Sequence, residues 1–404
     1  MDADLIQLFA KTLDTSSTNG NSFLNPVLLS RIISEQCRRM PRLRNAIPRE
    51  PFKGKTYLWD IEQNPGDAYT AADGATLTLV DGKWTQGSVE MSYFYFPTQI
   101  TNPASVGSSE LINLVEDRTE KAVKAIMRQE GSTIFNGDSL GGNKTAGIYA
   151  ALSGAPRFIN GGTAGQPFNP ALLDSMSNQM VTDGYDENEL AYCMSPNLAT
   201  AVRAFAFNHY RSVDLNAGVN YGFPLGAKLA WNGIPIVQDP YAAQNISVAN
   251  ETMGTTGDSK VFTFANQGVV FNASASGTDL AGRAETVPVV KVGGSVVTTG
   301  FTFSKNASTG ACQIVFASAP GATPTVSYVW KQENVYLLSL NKADLVIPES
   351  LPVTVDANLF APVNQDVIPL RVKQYSSVVV RNAYAHILAS NVLAPIGANS
   401  LVGA

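Results

Sequence analysis

The stretch ELINLVEDRTEKAVKAIMRQEGSTIFNGD, residues 110–138, decides the fold of this chain. Its apolar side chains recur at intervals of three and four positions: Leu111, Leu114, Val115, Ala122, Ala125 and Ile126. This spacing predicts one amphipathic helix of about six turns over residues 110–133, with Ser108 or Ser109 as its N-cap. The segment FNGD, residues 135–138, then predicts a turn. The helix is the longest regular element that the sequence predicts.

Upstream of this helix, residues 53–97 predict a long twisted hairpin. Residues 56–61 and 75–80 have the composition of strands, and Asp81-Gly82 is a turn signal between strands. The strand at residues 89–96 is rich in aromatic side chains that alternate poorly, so both of its faces need cover. No element nearby in the sequence supplies that cover. We therefore expect an aromatic set to contact a neighbouring subunit: Trp84, Tyr93, Phe94, Tyr95 and Phe96.

The segment before the hairpin is basic. Between Arg31 and Lys55 eight basic residues stand against two acidic ones, whereas the whole chain of 404 residues has a net charge of -5. Because this segment has a net charge of +6, the rest of the chain has a net charge of about -11. Three interpretations fit: a solvated basic face, a clasp onto an acidic neighbouring subunit, or phosphate binding. The contact residues expected for the clasp are Arg38, Arg39, Arg42 and Arg44.

Composition restricts the function. Charged residues make up 15% of the chain, so its charge predicts no bulk attraction to nucleic acid or to a membrane. The three cysteines, Cys37, Cys193 and Cys312, fit neither a disulfide framework nor a zinc site, which favours a reducing compartment. No secretory signal or membrane span is predicted. We expect a soluble protein that is intracellular at synthesis.

Residue types that commonly carry catalysis are scarce. The two histidines, His209 and His386, are 177 positions apart, and Cys193 lies in an apolar strand. No glycine-rich phosphate motif follows a strand. The acidic residues at 183–189 lack the spacing of an EF-hand, so they predict a solvated loop before a weak cation site. We therefore predict no catalytic residue, no cofactor site and no metal site, and expect that the protein is not an enzyme.

Downstream of the helix, helices and short strands alternate, which predicts an α+β body. Helices are predicted at residues 170–181 and 197–207, a buried strand at 190–194, and a hairpin at 228–237 whose turn is Asn232-Gly233. Residues 245–332 differ, because short strands separated by turn clusters predict a small β-sandwich or barrel inserted into the body. Strand patterns then return at 335–340, 344–348, 367–374 and 376–380.

The succession of these elements resembles the major capsid proteins of tailed bacteriophages, with the Hong Kong 97-type fold that is also found in encapsulins. Four segments carry the resemblance: TIFNGDSLGGNKTAGIY (133–149), LAYCMSPNLATAVRAF (190–205), LAWNGIPIVQDP (229–240) and DVIPLRVKQYSSVVVRNAYAHIL (366–388). Only the inserted region and the extreme N-terminus lie outside the resemblance.

The resemblance implies a domain organisation. Residues 1–49 would form an N-terminal arm, 50–100 an extended loop, 101–180 and 351–404 the two parts of a peripheral domain, and 181–244 with 333–350 an axial domain. The inserted all-β domain, 245–332, would lie on the shell exterior. Its segment 300–330 resembles β-modules of phage surface and tail proteins, which implies an immunoglobulin-like or similar fold.

Covalent joining of subunits is not expected. Some members of the family join a lysine of the extended loop to an asparagine of the peripheral domain, with help from a glutamate on a final strand. Lys83 matches the lysine by position, but residues 374–388 contain no glutamate. The resemblance therefore implies that non-covalent contacts hold the subunits together.

The function that the resemblance implies is structural. The chain would assemble with itself into pentamers and hexamers that form an icosahedral shell around double-stranded DNA, without sequence-specific binding. Scaffolding, portal and decoration proteins would be its other partners, the virion capsid its location, and the host cytoplasm its place of assembly. Two alternatives remain: an encapsulin-type bacterial nanocompartment shell, and an enzyme with an appended carbohydrate-binding β-module.

Overall fold

The computed structural model describes residues 40–64, 83–101, 114–138, 144–162, 165–210, 229–255, 260–266, 277–278, 284–285, 288–305, 312–356 and 367–393. These ranges contain both helices and many short strands, which confirms the predicted α+β class. The chain divides into two compact units. The smaller includes the described parts of Phe94–Ile126 and Val353–Gln374, and the larger those of Arg39–Tyr93, Met127–Pro352 and Tyr375–Ala404.

The elements of the described ranges are as follows. The helices are α1 (Leu114–Asn136), α2 (Gly147–Ser153), α3 (Pro170–Thr182) and α4 (Pro196–Tyr210), and single 3-10 turns lie at Leu43–Asn45, Glu187–Glu189 and Ala383–Ala385. The first strands are β1 (Arg49–Pro51), β2 (Thr56–Asn64), β3 (Lys83–Glu90), β4 (Ser92–Thr101), β5 (Phe158–Asn160), β6 (Gln166–Pro167), β7 (Leu190–Met194), β8 (Ala230–Trp231) and β9 (Ile234–Gln238). The inserted region contains β10 (Gln244–Thr252), β11 (Gly254–Thr255), β12 (Val261–Thr263), β13 (Gly277–Thr278), β14 (Ala284–Glu285), β15 (Val289–Val292), β16 (Ser295–Val297), β17 (Phe301–Lys305), β18 (Cys312–Phe316) and β19 (Pro324–Gln332). The last strands are β20 (Val335–Ser339), β21 (Leu345–Asp356), β22 (Val367–Ser376), β23 (Val379–Val380), β24 (His386–Ser390) and β25 (Val392–Leu393).

Helix α1 ends three residues beyond its predicted end. Its start at Leu114 is the first described residue there, so the predicted residues 110–113 and the caps Ser108 and Ser109 lie outside the described ranges. Gly137 ends the helix with φ 78°, and its N–H donates to the Thr133 carbonyl at 2.8 Å. Phe135 was predicted in a turn, but it belongs to the last helical turn and is fully buried.

A six-stranded sheet forms the centre of the larger unit, in the order β5-β24-β20-β7-β9-β8. Pairing is parallel for β5 with β24 and for β7 with β9, and antiparallel for the other neighbours. Every residue of β7, β20 and β24 is buried. Side chains alternate between the two faces of a strand, so a continuous buried run requires cover on both faces.

Helices supply that cover. Tyr192 and Leu337 point into an apolar cluster with residues of α3 and α4. Cys193 and Tyr336 point to the opposite face, into a second cluster with residues of α2 and the end of α1. The predicted buried strand at 190–194 is therefore confirmed, and both predicted helices after residue 169 are present within a few residues of their expected ends.

The predicted hairpin at 53–97 is divided in the structure. Strands β2 and β3 form a separate two-stranded antiparallel sheet, whereas β4 lies beside β22 in another sheet. The prediction of one continuous strand over residues 89–96 was wrong, because Met91 separates β3 from β4 and is fully buried beside Tyr57 and Val346. The predicted strand at 75–80 and the turn Asp81-Gly82 lie outside the described residues.

In the smaller unit, strand and helix side chains form a compact apolar cluster: Phe94, Ala122, Val123, Ile126, Val353 and Val372. At the end of β21, Asp356 accepts ion-pair contacts from Arg371 at 2.9 Å and Lys373 at 2.8 Å. Hydrogen bonds from Lys373 and Arg371 lower the pKa of Asp356 despite a small opposing effect of desolvation.

The inserted region forms two four-stranded sheets, β10-β19-β15-β16 and β11-β12-β18-β17. The pairs within them are antiparallel. Val326 and Tyr328 of the first sheet share one apolar cluster with Phe262 and Ile314 of the second. The region enters and leaves the body side by side, because Gln244 of β10 pairs with Gln332 of β19.

Candidate functional site

The two predicted contact surfaces are the basic segment and the aromatic hairpin. Of the basic segment, Arg38 and Arg39 lie outside the described residues. Arg42 has an exposed side chain, while its backbone N–H donates to Asp239 Oδ2 at 2.6 Å. Asp239 also accepts the backbone N–H groups of Leu43 and Tyr241, both at 2.9 Å. Burial raises the pKa of Asp239, and these three donors oppose the rise.

Arg44 is held within its own chain. Its Nε contacts Glu130 Oε2, and Arg49 Nη2 contacts Glu130 Oε1 at 2.9 Å. Ser376 Oγ donates to the same carboxylate at 2.9 Å. Burial would raise the pKa of Glu130, but Arg49 and Arg44 outweigh it and hold the pKa below its ordinary value. The arginine predicted to contact a neighbour therefore already has a buried partner in this chain.

Pro41 completes this attachment. We call it the arm anchor: Pro41 packs on Gly131, and Arg44 and Arg49 bind Glu130. A Cβ on Gly131 would lie 2.2 Å from Pro41 Cβ, so the chain crosses α1 where the helix has no side chain. The arm anchor was not predicted from the sequence. One signal of it is that Glu130 lies four residues after Ile126, on the buried stripe of the helix.

The β2–β3 hairpin has two unequal faces. On one, Tyr57 and Val89 are buried at the base, and Trp59 lies over Gly87 of the partner strand. A Cβ on Gly87 would lie 2.4 Å from two atoms of the indole, so glycine makes room for the ring. The other face, which we call the outer hairpin face, carries Leu58 at 55% exposure and Trp84 at 67%.

Strand β4 presents a second exposed aromatic group. Tyr93, Phe96 and Tyr95 are exposed, with Tyr95 at 52%. Phe94 was predicted to contact a neighbouring subunit, but it is only 8% exposed and packs against Ala122 in the chain's own core. Alternation along the strand turns it inward, so the structure does not place it on the predicted surface.

Hydrogen bonds and an aromatic contact stabilise the base of the hairpin. Tyr57 Oη donates to Glu50 Oε2 at 3.1 Å, and Arg381 Nη2 donates to the same oxygen at 2.7 Å. Phe52 meets Tyr57 edge to face with ring centroids 5.1 Å apart. Burial raises the pKa of Tyr57, and Arg381 opposes that rise. These contacts fix the base while the outer face remains open.

The two described cysteines, Cys193 and Cys312, are buried. Cys193 is fully buried, and burial raises the pKa of its thiol well above the ordinary value. No cluster of metal-ligating side chains occurs among the described residues. Among the described residues, no helix combines the length and the apolar composition of a membrane span. The outer hairpin face and the exposed aromatic side chains of β4 are the candidate contact surfaces among the described residues.

Comparison with known proteins gives a match by structure. No family model and no curated protein sequence matches the chain. Its structure is similar to "Cyanophage A-1(L) capsid asymmetric unit", with TM-score 0.54 and 12% identity, covering 90% of this chain and 96% of that one. It is also similar to "Capsid of native GTA particle computed with C5 symmetry", with TM-score 0.51 and 12% identity, covering 91% and 97%. The chain has a capsid-protein fold.

The capsid-protein fold extends over nearly the whole length of both matched chains. It confirms the predicted kinship in fold with phage capsid proteins. A further similar structure is the holo-SrpI encapsulin complex from Synechococcus elongatus PCC 7942, with TM-score 0.49 and 12% identity, covering 95% of each chain.

Proposed function

We propose that this chain is the major capsid protein of a tailed bacteriophage and assembles into the pentamers and hexamers of an icosahedral shell. The observation that carries the proposal is the capsid-protein fold over 90% of this chain and 96% of its cyanophage counterpart. In this proposal the fold is of the Hong Kong 97 type. The shell encloses double-stranded DNA without reading its sequence and forms part of the virion after assembly in the host cytoplasm.

The proposed domain roles follow the predicted boundaries. Residues 1–49 act as the arm, 50–100 as the extended loop, and 101–180 with 351–404 as the peripheral domain. Residues 181–244 and 333–350 act as the axial domain. Residues 245–332 act as an immunoglobulin-like domain on the exterior, and their paired entry and exit strands at Gln244 and Gln332 support a separate module.

The main partner is a second copy of the chain. Leu58 and Trp84 on the outer hairpin face and Tyr95 on β4 are large apolar side chains in contact with solvent. Fully burying such a side chain contributes about 1.5–3 kcal/mol. A contact of this kind is repeated at every subunit of a shell, so a modest gain per side chain stabilises the whole assembly. Scaffolding, portal and decoration proteins are the other proposed partners.

Assembly of the purified full-length chain tests the proposal. We expect sedimentation velocity to show particles of hundreds of subunits and negative-stain microscopy to show closed shells. A species of a few chains under all assembly conditions would refute the capsid role. Shells that package a protein cargo and no DNA in the native host would instead support the encapsulin alternative.

A matched pair of variants tests the surface. Trp84→Ala removes the most exposed aromatic side chain of the outer hairpin face, and Val296→Ala removes an apolar side chain that is 59% exposed on β16. We expect the subunit to remain folded in both cases. Shell yield should fall at least tenfold for Trp84→Ala and stay near wild type for Val296→Ala. Equal yields would show that the outer hairpin face is not an assembly contact.

A further inference from the structure

His386 is a buried histidine at the start of β24. Its side chain is almost fully enclosed, and its Nδ1 accepts the Ser339 backbone N–H at 3.1 Å. Since Nδ1 is an acceptor, the neutral ring carries its proton on Nε2. A second proton must therefore go onto Nδ1. There the new N–H would point at another N–H donor, in a site without solvent.

Ser339 links the histidine to a polar turn. Its hydroxyl donates to Asp344 Oδ2 at 2.7 Å, and Asn382 Nδ2 donates to Asp344 Oδ1 at 3.2 Å. The backbone carbonyl of Asp344 accepts the N–H of Arg381 at 2.7 Å and that of Asn382 at 3.3 Å. Asp344 is thus hydrogen-bonded to the segment that leads into β24, and Ser339 is hydrogen-bonded to both Asp344 and the imidazole.

Arg381 connects the same segment to the hairpin. Its Nη2 donates to Glu50 Oε2 at 2.7 Å and contacts the Tyr57 hydroxyl, and its guanidinium lies 5.5 Å from the centre of the Tyr57 ring. Tyr57 belongs to β2, at the base of the hairpin. A six-residue segment, 381–386, is therefore attached at one end to the hairpin and at the other to the buried imidazole.

Other titratable groups surround this segment. The elements that pack against His386 carry several described titratable or charged side chains. Lys342 and Asp344 lie in the turn after β20, Tyr336 lies in β20, and Arg381 and Tyr384 lie just before β24. In addition, Glu189 accepts a hydrogen bond from Asn341, and the Tyr185 hydroxyl accepts one from Asn382. Asp344 is the one whose carboxylate shares a hydrogen-bonded partner, Ser339, with the imidazole. The Asp344 backbone carbonyl favours the protonated ring, but burial of the ring outweighs it.

We propose that His386 acts as an acid-sensitive latch on the β2–β3 hairpin. When the ring takes up a proton at Nδ1, its contact with Ser339 becomes a repulsion between two donors and the Asp344 turn loosens. The segment before β24 then moves, and Arg381 no longer holds the hairpin base. Acidification thereby frees the outer hairpin face to change its orientation. The latch is a property of the folded chain and does not depend on the proposed shell.

The size of the effect follows from linkage. Burial lowers the pKa of His386 from 6.5 to about 4. Because the folded pKa is depressed, the latched state is favoured at neutral pH and loses stability as the pH falls below 6.5. If the ring regains its ordinary pKa on release, acidification from pH 7 to pH 5 raises the ratio of released to latched chain about 20-fold.

Hydrogen–deuterium exchange on the full-length chain at pH 7 and pH 5, corrected for the intrinsic rate of exchange, tests the latch. In the wild type we expect acid to increase exchange both in residues 381–390 and in the described part of the hairpin, 56–62 and 84–90. His386→Asn retains an acceptor near the Nδ1 position but does not titrate, so it should lose this response. His209→Asn, which changes the other histidine of the sequence, should retain it.

Two outcomes would overturn the latch. One is an equal acid response in the wild type and His386→Asn; the other is a response confined to residues 381–390 that leaves the hairpin unchanged. If His386→Asn does not fold, NMR titration of the wild-type chain with 13C-labelled histidine decides. One histidine with a pKa well below 6 supports the latch, and two ordinary pKa values near 6.5 refute it.

Discussion

Glu130→Gln is the sharpest test of the arm anchor. Glu130 is buried and receives Arg44, Arg49 and Ser376, so the substitution leaves two arginines without their shared carboxylate. Breaking a buried ion pair by removing one partner costs about 3–5 kcal/mol. Arg49 is partly exposed and keeps Glu349 at 2.8 Å, which places the expected cost near the lower end, at about 3 kcal/mol.

The melting temperature converts this cost into a measurement. A chain of 404 residues, with an unfolding entropy of about 2.1 cal/mol/K per residue, loses about 3–4 °C for a 3 kcal/mol destabilisation. Differential scanning calorimetry of the free subunit is the assay. Glu120→Gln is the matched control, because Glu120 is exposed on the same helix and pairs across one turn with Lys124 at 2.7 Å. The control should melt within 1 °C of the wild type, about what the loss of an exposed pair predicts.

The effect of Glu130→Gln should also depend on pH in a fixed direction. The folded pKa of Glu130 is lowered, so its stabilisation is complete above the ordinary value of 4.5 and is lost as the pH falls through the lower folded value. The gap in melting temperature between wild type and variant should therefore be full at pH 7 and narrow below pH 4.5. A gap smaller than 1 °C at pH 7, or one that widens in acid, would refute the anchor.

Three further predictions concern the hairpin, β4 and the arm. Gly87→Ala should weaken the hairpin by about 1–3 kcal/mol, because the new Cβ meets the Trp59 indole, and hydrogen exchange in residues 56–62 should rise. Gly154→Ala is the control, because there is open space around its Cβ, and it should leave exchange in residues 56–62 unchanged. Phe94→Ala should destabilise the subunit by about 3–5 kcal/mol in urea unfolding, whereas Tyr95→Ala should alter the urea midpoint little; the reverse order would contradict the inward position of Phe94. Replacing Arg38, Arg39 and Arg42 with Ala should leave the circular dichroism spectrum unchanged and reduce shell formation, and a normal yield of shells would exclude the basic clasp.

The sequence predicted elements best where one physical rule acted alone. The strand at 190–194 is a continuous apolar run, and that run reflects cover by helices on both faces of the sheet. Asn232-Gly233 predicted its turn because both residues adopt positive φ, 47° and 83°. Strand β21 was predicted to end near Pro348 but extends to Asp356; in its sheet it lies between β22 and β1, and β1 comes from a distant part of the chain. Local composition carries no record of such a partner.

Two residues of the predicted contact surfaces, Phe94 and Arg44, have partners within the chain itself. The aromatic run at 93–96 suggested one continuous contact, but Phe94 is buried and completes the core, whereas Tyr93, Tyr95 and Phe96 are exposed. Arg44 stands in the same basic segment as the other predicted contact arginines, and nothing near it in sequence shows that Glu130 lies beside it. The contacts behind the proposed latch join Ser339 to His386 and Asp344 to Arg381, pairs that are far apart in the sequence. Each of these features arises from long-range packing, which a periodic pattern does not encode.

A cryo-electron microscopy reconstruction of particles formed by the purified chain would show both the assembly and what covers the outer hairpin face. We expect an icosahedral shell of pentamers and hexamers in which Leu58 and Trp84 of one subunit are buried against the next. Failure of the chain to form closed particles, or a shell in which the outer hairpin face remains in solvent, would contradict it.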